Sequence, residues 1–346
     1  MPKLSIVLPV QGQIESLEHS LVSLLAHRPR SSEVLVVLNG PYSDPYCLTD
    51  EVRFVTVAPG AGWVESVNAG VREADSAVVH VVSPGVEVAD GWAWPALRYF
   101  SDRRIAAVSP LAIGPTDQAK ALALGVGYRS NGRRTLIAGG AVAEHVERGA
   151  VVGCWPTAWA GFYRREVLLD LAAGFASAVG DELADIDLAL RLEAAGFESV
   201  CEPLCRVMVP RTAATPTSFR RGRSAERLYW RHRGATGPSG SVARHLTLVA
   251  RDALASVIKP RAAAAMVGRI AAMLERGSYR RSRAAAELLH ERAAVILNNE
   301  PVRILRFDEA HRTIRQPQGR TTSSPNPAPT SAPTLTSRTT RLRLSA

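Results

Sequence analysis

Two aspartates open a predicted helix at residues 185–195, in the segment Ala184-Asp-Ile-Asp-Leu-Ala-Leu-Arg-Leu192. A carboxylate at such a position can take the proton from an attacking hydroxyl group, which is the task of a general base. Acidic side chains in the first turn of a helix are also stabilised by the helix dipole, so the same residues fit a purely structural cap. The local sequence leaves both roles open for Asp185 and Asp187.

The elements that must position these carboxylates alternate between short apolar runs and helical patterns. The first run, Leu4–Val10, leads into a predicted helix over residues 14–26. Further apolar runs follow at 33–38, 53–57, 77–82, 105–110, 154–162 and 200–209, and further helical patterns at 63–73, 90–100, 165–172 and 282–297. Alternation of this kind predicts a mainly parallel sheet covered by helices. An apolar run that ends near Pro9 and flows into a helix indicates a buried strand whose carboxyl end opens on a site.

The remaining segments divide the chain into three parts. Residues 113–153 are Gly-rich and partly basic, which predicts an insertion or loop-rich segment. Helical patterns dominate beyond residue 215, and Pro, Ser, Thr and Arg dominate from residue 316. We therefore predict an α/β domain at 1–235, a basic helical region at 236–315 and a disordered tail at 316–346.

The formal charge of +10 is concentrated in the C-terminal third. Residues 1–205 hold 16 Lys/Arg against 24 Asp/Glu, whereas residues 206–315 hold 22 against 8. Apart from Tyr229 and Trp230, aromatic residues are not interleaved with these arginines, so a nucleic-acid surface is not expected. The charge favours peripheral contact with an anionic membrane, with a solvated basic face or a packed helical subdomain as the plainer alternatives.

No apolar stretch reaches the roughly 18 to 20 residues of a membrane span, and the N-terminus has a strand pattern rather than that of a signal peptide. We therefore expect a cytoplasmic protein, with any membrane contact made at the inner face. The four cysteines lack paired metal-ligand spacing, so we expect them to be reduced and without zinc. They are Cys47, Cys154, Cys201 and Cys205.

Five segments, taken in order, resemble those of a known family. They are Ile-Val-Leu-Pro-Val (6–10), Val-Val-Leu-Asn-Gly (36–40), Val-Asn-Ala-Gly-Val-Arg-Glu-Ala (67–74), Ser-Pro-Gly-Val-Glu-Val (83–88) and Ala-Asp-Ile-Asp-Leu-Ala-Leu-Arg-Leu (184–192). Together they resemble the family-2 inverting glycosyltransferases over residues 3–235, and residues 218–232 are similar to the end of the catalytic region in rhamnosyltransferase-like members. The resemblance implies a GT-A fold, a nucleotide-sugar donor, a divalent cation (Mg²⁺ or Mn²⁺) and transfer with inversion at the sugar carbon.

The resemblance also implies roles for single residues. Asp185 matches the base, and Asp187 matches a position that supports the helix or contacts the donor. Pro9, Asn39 and Asn68 fall where the family contacts the nucleotide, although Asn68 fits a turn-forming role equally well.

The sequence departs from the family at the metal motif. Where the family carries Asp-x-Asp to hold the cation, this chain has Gly85, Val86 and Glu87. Only Glu87 can ligate a hard cation, so a metal is implied by the resemblance but poorly supported by these residues. Arg133-Arg134 and Arg220-Arg221-Gly-Arg223 could instead neutralise a diphosphate, or could simply be solvated.

These observations predict a glycosyltransferase that acts on a glycan or lipid-linked acceptor in polysaccharide biosynthesis. A catalytically silent relative that binds or scaffolds is the alternative, since several polar positions of the family are missing. A nucleotidyltransferase would normally open with a Gly-rich basic loop, whereas residues 9–16 contain a single glycine, Gly12. This second enzyme class is therefore poorly supported.

Overall fold

The computed structural model describes residues 3–12, 14–129, 132–146, 151–171, 173–210, 218–232, 242–257 and 260–275, together with Ala293 and Leu297. These residues belong to one compact unit that covers residues 1–302. The tail predicted at 316–346 lies outside the described residues, as does the helix predicted at 282–297 apart from the two positions named.

Strands and helices alternate along the first 208 residues, and helices follow. The strands are Leu4–Val10 (β1), Ser32–Leu38 (β2), Arg53–Thr56 (β3), Val78–Val82 (β4), Glu87–Val88 (β5), Ile105–Ile113 (β6), Ala121–Ala123 (β7), Gly125–Tyr128 (β8), Arg134–Ile137 (β9), Val151–Val152 (β10), Ala160–Arg164 (β11) and Glu198–Met208 (β12). The helices are Ile14–His27 (α1), Trp63–Glu73 (α2), Trp94–Leu97 (α3), Ala143–Val146 (α4), Ala184–Ala194 (α5), Ser218–His232 (α6), Val242–Ser256 (α7) and Pro260–Leu274 (α8).

A ten-stranded, mainly parallel sheet forms the centre of the molecule. Its strands follow the order β3-β2-β1-β4-β11-β6-β12-β10, with β5 paired to β12 and β7 to β6. The strands β1, β2, β3 and β4 are parallel, and β6 and β12 run in the same direction as β4. The strand β11 runs against its neighbours, and β8 and β9 form a separate hairpin. The predicted mainly parallel sheet with flanking helices is therefore present.

Helices on both faces of the sheet explain why β1 is buried throughout. Ile6 and Leu8 pack in a core cluster with Leu21 of α1, while Val7 points to the other face and packs in a second cluster with residues of α2. A side chain at Gly70 of α2 would lie 2.5 Å from Val7, so glycine allows this helix to approach the strand closely. Burial on both faces is typical of a central parallel strand.

Several predicted elements differ in extent from those observed. The helix predicted from residue 90 begins only at Trp94, because Pro95 is tolerated in the first turn of a helix but not in its interior. The strand predicted at 154–162 begins at Ala160, and the helix predicted at 165–172 is a π-helical turn at Val167–Leu171. The segment predicted to be loop-rich contains β7 to β10 and α4.

The expectation of four reduced cysteines is wrong for one pair. Cys154 and Cys201 form a disulfide, with their Cα atoms 6.0 Å apart, while Cys47 and Cys205 are free. The two residues are separated by 47 positions, and only the sheet brings them together, so no sequence spacing announces the pair.

The C-terminal helices pack closely against α6. Gly222 of α6 and Gly268 of α8 lie at the crossing, where an added side chain would approach the carbonyl oxygens of Ala265 and Phe219 to 1.9 and 2.1 Å. Buried Glu226 of α6 accepts hydrogen bonds from His245 of α7 (3.0 Å) and Arg269 of α8 (2.9 Å). None of the helices in the described part of the chain is long and apolar enough to cross a membrane.

Candidate active site

The candidate site lies at the edge where the parallel strands end. Val10, Leu38 and Val82 close β1, β2 and β4 at this edge. Because β4 and β11 are antiparallel, the loop that precedes β11 at Ala160 reaches the same edge. The carboxyl edge of an open α/β sheet is where such folds bind ligands.

Asp185 is buried beside this edge and accepts four hydrogen bonds. Its Oδ1 atom accepts from Arg134 Nε (3.1 Å) and from the Ile186 N–H (2.7 Å). Its Oδ2 atom accepts from Arg134 Nη2 (2.5 Å) and from the Ala158 N–H (3.1 Å). Since a carboxylate offers about four lone-pair positions, this one is fully occupied.

The backbone around Ala158 connects Asp185 to the end of β4. Ser83, the first residue after β4, donates its hydroxyl to the Ala158 carbonyl oxygen (2.8 Å) and its N–H to the Trp159 carbonyl oxygen (2.8 Å). A single residue, Ala158, thus contacts Ser83 through its carbonyl group and Asp185 through its amide. The structure therefore brings Asp185 close to the turn at residues 83–88.

Asp187 has different surroundings, because residues two apart on a helix point to nearly opposite sides. Its buried carboxylate contacts Arg191 (2.9 Å), Arg231 (2.7 Å) and His232 (2.8 Å). Burial alone would raise the pKa of Asp187, but the charge of Arg191, with those of His232 and Arg231, holds the pKa well below its usual range. The group therefore ties α5 to α6 as a permanent anion.

Asn68 is engaged at both ends of its amide. Its Nδ2 donates to the Phe175 carbonyl oxygen (2.8 Å) and its Oδ1 accepts from the Phe175 N–H (2.8 Å). A side chain at Gly174, which has a φ of 78°, would lie 2.4 Å from Asn68 Oδ1. Asn68 thus fastens α2 to the turn at 174–175.

Pro9 and Asn39 lie on neighbouring strand ends. Pro9 pairs with Val37 of β2 and lies beyond the part of β1 that pairs with β4. Its missing N–H therefore removes no hydrogen bond between β1 and β4. Asn39 directly follows β2, is partly exposed, and donates from Nδ2 to the Ala61 carbonyl oxygen (2.9 Å). Its position leaves it accessible from the carboxyl edge.

The turn after β4 does not fit a divalent cation. Gly85 has a φ of 87°, and an added side chain would lie 2.8 Å from Pro210, so an aspartate there would be strained and crowded. Val86 is buried, and Glu87 belongs to β5, where it pairs with Met208. Across the described residues, no group of three or more His, Cys, Asp or Glu side chains is placed to hold a metal ion.

The sequence did not predict the ion pair that Arg134 forms or the helix cap that Asp181 provides. Arg134 is paired with Asp185 across 51 positions, and no sequence pattern links them. Asp181 accepts hydrogen bonds from the Trp63 N–H (2.9 Å) and the Val64 N–H (3.2 Å), so it caps the N-terminus of α2 from a distant part of the chain. Gly62 makes room for this carboxylate, since an added side chain would lie 2.7 Å from Asp181 Oδ2.

Comparison with known proteins identifies the fold but no sequence family. No protein-family model matches the sequence, and no curated protein matches it. GalNAc-T7, solved with UDP, GalNAc and Mn²⁺, is similar in structure, with a TM-score of 0.51 and 14% identity over 72% of this chain. The match covers 54% of GalNAc-T7, so this chain spans about half the length of that protein.

A second solved structure is the mannosyltransferase PcManGT from Pyrobaculum calidifontis, in complex with GDP-Man and Mn²⁺. It has a TM-score of 0.49 and 18% identity, over 86% of this chain and 88% of that one. The fold of the protein is the GT-A type, a mainly parallel sheet flanked by helices, as the resemblance implied.

Proposed function

We propose that the protein is an inverting, family-2-type glycosyltransferase of the rhamnosyltransferase-like kind. It transfers a sugar from a nucleotide-sugar donor to a glycan or lipid-linked acceptor in polysaccharide biosynthesis. The observation that carries the proposal is the position of Asp185, a buried carboxylate held by the Ala158 N–H next to the end of β4.

In the proposed reaction, Asp185 takes the proton of the acceptor hydroxyl as its oxygen attacks the anomeric carbon of the donor sugar. The bond between that carbon and the diphosphate oxygen breaks, and its electron pair leaves with the nucleoside diphosphate. One displacement of this kind inverts the anomeric centre. The growing negative charge on the leaving group must be met by a cation close by.

The donor contacts follow from exposure and hydrogen bonding. We place the nucleotide across the ends of β1 and β2, against the Pro9 backbone and Asn39. Glu87, at the start of β5, is a further donor contact. Asn68 and Asp187 position the backbone and helices around the site, since their polar atoms bind Phe175 and, for Asp187, the side chains of Arg191, Arg231 and His232. Because the turn at residues 85–87 offers one carboxylate, we propose that donor binding needs no divalent cation.

Calorimetric titration with uridine, thymidine and guanosine diphosphates and their sugars tests the proposal. We expect saturable binding to one base, unchanged when Mn²⁺ is removed with a chelator. Loss of binding on chelation would contradict the proposed metal independence, and absence of binding to every nucleotide of the panel would contradict the proposed donor.

Donor turnover tests Asp185 itself. The Asp185→Asn variant should lower transfer or donor hydrolysis by at least about a hundredfold, because an amide cannot accept the proton. Glu182→Gln is the matched control, since Glu182 is a nearby carboxylate that instead binds the Ser224 hydroxyl (2.6 Å). Equal turnover in wild type and Asp185→Asn would remove Asp185 as the base.

A catalytically silent binding or scaffolding protein is the second candidate. It is favoured by the full occupancy of Asp185 and by Gly85, where the family carries an acid. Saturable donor binding with no transfer or hydrolysis, in wild type as in Asp185→Asn, would support this alternative.

We further propose a cytoplasmic location with peripheral contact at an anionic membrane. The outward sides of α7 and α8 form an outer apolar face of exposed side chains, Leu246, Leu254, Val257, Val267, Ile270 and Leu274. His245 of α7 and Arg269 of α8 both bind Glu226 of α6, so the two helices pack on the same element. A lipid-linked acceptor would be reached from such a surface.

A further inference from the structure

Arg134 and Asp185 form a fork-to-fork ion pair at the candidate site. The Nε and Nη2 atoms of Arg134 each face one oxygen of Asp185, at 3.1 and 2.5 Å. The Asp185 side chain is fully buried, whereas the Arg134 side chain is 23% exposed. The guanidinium group therefore closes the buried carboxylate from the side that solvent reaches.

The pair creates a chemical conflict with catalysis. A general base must offer a lone pair to the hydroxyl that it deprotonates, and Asp185 has none left while Arg134 is bound. The departing diphosphate needs a cation, and the residues after β4 do not fit a metal ion. One movement of Arg134 would resolve both problems.

We propose that Arg134 exchanges partners during the reaction. In the free protein it binds the Asp185 carboxylate, and in the donor complex it binds the donor diphosphate and releases Asp185 to act as the base. The proposal rests on the proposed transferase function and assigns Arg134 as a binding residue for the diphosphate.

The chemistry of the groups permits this exchange. The guanidinium fork matches the oxygens of a phosphate as well as those of a carboxylate. After Arg134 leaves, the N–H groups of Ala158 and Ile186 still hold Asp185 in place, each on a different oxygen. Each oxygen then gains one open position, so the base is exposed without losing its orientation.

Binding of nucleoside monophosphates and diphosphates measures this exchange directly. Uridine, thymidine and guanosine mono- and diphosphates are titrated, with chelator present, into wild type and the variants Arg134→Ala, Arg133→Ala and Asp185→Asn. Arg133→Ala is the matched control, because it removes the same charge from the adjacent, exposed position. The ratio of the two Kd values for one base isolates the contribution of the second phosphate.

We expect wild type to prefer the diphosphate and Arg134→Ala to reduce that preference by about tenfold or more, while Arg133→Ala keeps it. Damage to the fold would instead weaken the binding of the monophosphate and the diphosphate alike. Asp185→Asn should bind the diphosphate more tightly than wild type, because the loss of its charge frees Arg134. This opposite sign keeps the proposal testable even if Arg134→Ala fails to fold.

The remaining outcomes separate the exchange from the transferase function. An unchanged preference in Arg134→Ala, or unchanged diphosphate affinity in Asp185→Asn, would overturn the exchange and leave donor binding standing. Failure of wild type to bind any nucleotide of the panel would overturn the donor site and the exchange together.

Discussion

Asp185 and Asp187 show how surroundings divide the work of two identical residues. Asp187 is enclosed by Arg191, Arg231 and His232, which hold it as an anion within the protein. Asp185 has one cationic partner, and that partner is partly exposed. A carboxylate with one cationic partner that can be displaced suits a reaction, whereas one held by three side chains of α5 and α6 suits a joint between helices.

His80 on β4 makes stability depend on pH. The ring is fully buried, stacks on Phe162 at 3.8 Å and lies 3.1 Å from the Gly161 carbonyl oxygen. Burial lowers its pKa from 6.5 to about 3. The unfolded chain therefore binds a proton below pH 6.5 that the folded protein refuses, so stability is fully present above pH 6.5 and falls as the pH drops.

Urea unfolding between pH 6.5 and 5 should show this linkage. We expect wild type to lose about 2 kcal/mol more than His80→Gln over that range, at about 1.4 kcal/mol per pH unit. His19→Gln, at an exposed position, is the control and should behave as wild type. Parallel stability curves for wild type and His80→Gln would contradict the assignment.

At the scale of elements, α2 takes its N-terminal cap from Asp181, 118 residues away from Trp63. Asp181→Ala should lower the free energy of unfolding by about 1 kcal/mol, because two N–H groups of the first turn lose their acceptor. Asp181→Asn keeps an acceptor oxygen and should lose less. Chemical unfolding measures both variants, and equal losses would argue against capping.

The crossing of α6 and α8 depends on glycine. Gly222→Ala places a methyl group against the Ala265 carbonyl oxygen and should destabilise the protein by about 1 to 3 kcal/mol, although alanine favours an isolated helix. Gly40→Ala is the matched control, because nothing lies within 4 Å of the added atom. Thermal unfolding that ranks the two variants equally would show that α8 does not pack here.

Sequence patterns predicted the buried parallel strands well, because burial on both faces leaves a nearly continuous apolar run such as Leu4–Val10, which only Ser5 interrupts. They did not predict that β11 runs antiparallel, since direction is not encoded in apolar content. Asp185 was found through the order of the segments along the chain. Its pairing with Arg134, which the sequence suggested only as a diphosphate contact, was not predicted, because an ion pair across 51 residues depends on the folded sheet and hairpin.

At the scale of the molecule, charge and the outer apolar face together favour a membrane surface over self-association. The helices α6, α7 and α8 contain nine arginines against two acidic residues, so two copies of this region would repel one another. An anionic bilayer offers opposite charge to the arginines and apolar depth to the exposed side chains.

Vesicle co-sedimentation tests this surface. The protein should bind vesicles that contain anionic lipid and not neutral ones, and Leu254→Glu with Leu274→Glu should weaken binding at least about tenfold. Val22→Glu, at an exposed apolar position of α1 rather than of α7 or α8, adds the same charge as one of these changes and should weaken binding much less. An equal loss of vesicle binding in the control would indicate a purely electrostatic contact. Absence of binding to anionic vesicles would exclude the outer apolar face as a membrane-binding surface.

Arg134 belongs to the hairpin of β8 and β9, which is a separate two-stranded sheet joined to the neighbouring loop by a bridge between Val126 and Trp155. Asp185, by contrast, is anchored in α5. The two halves of the ion pair therefore belong to different secondary-structure elements. Substitutions in the hairpin could retune how tightly a donor is held in different descendants of this chain while the proton acceptor stays untouched.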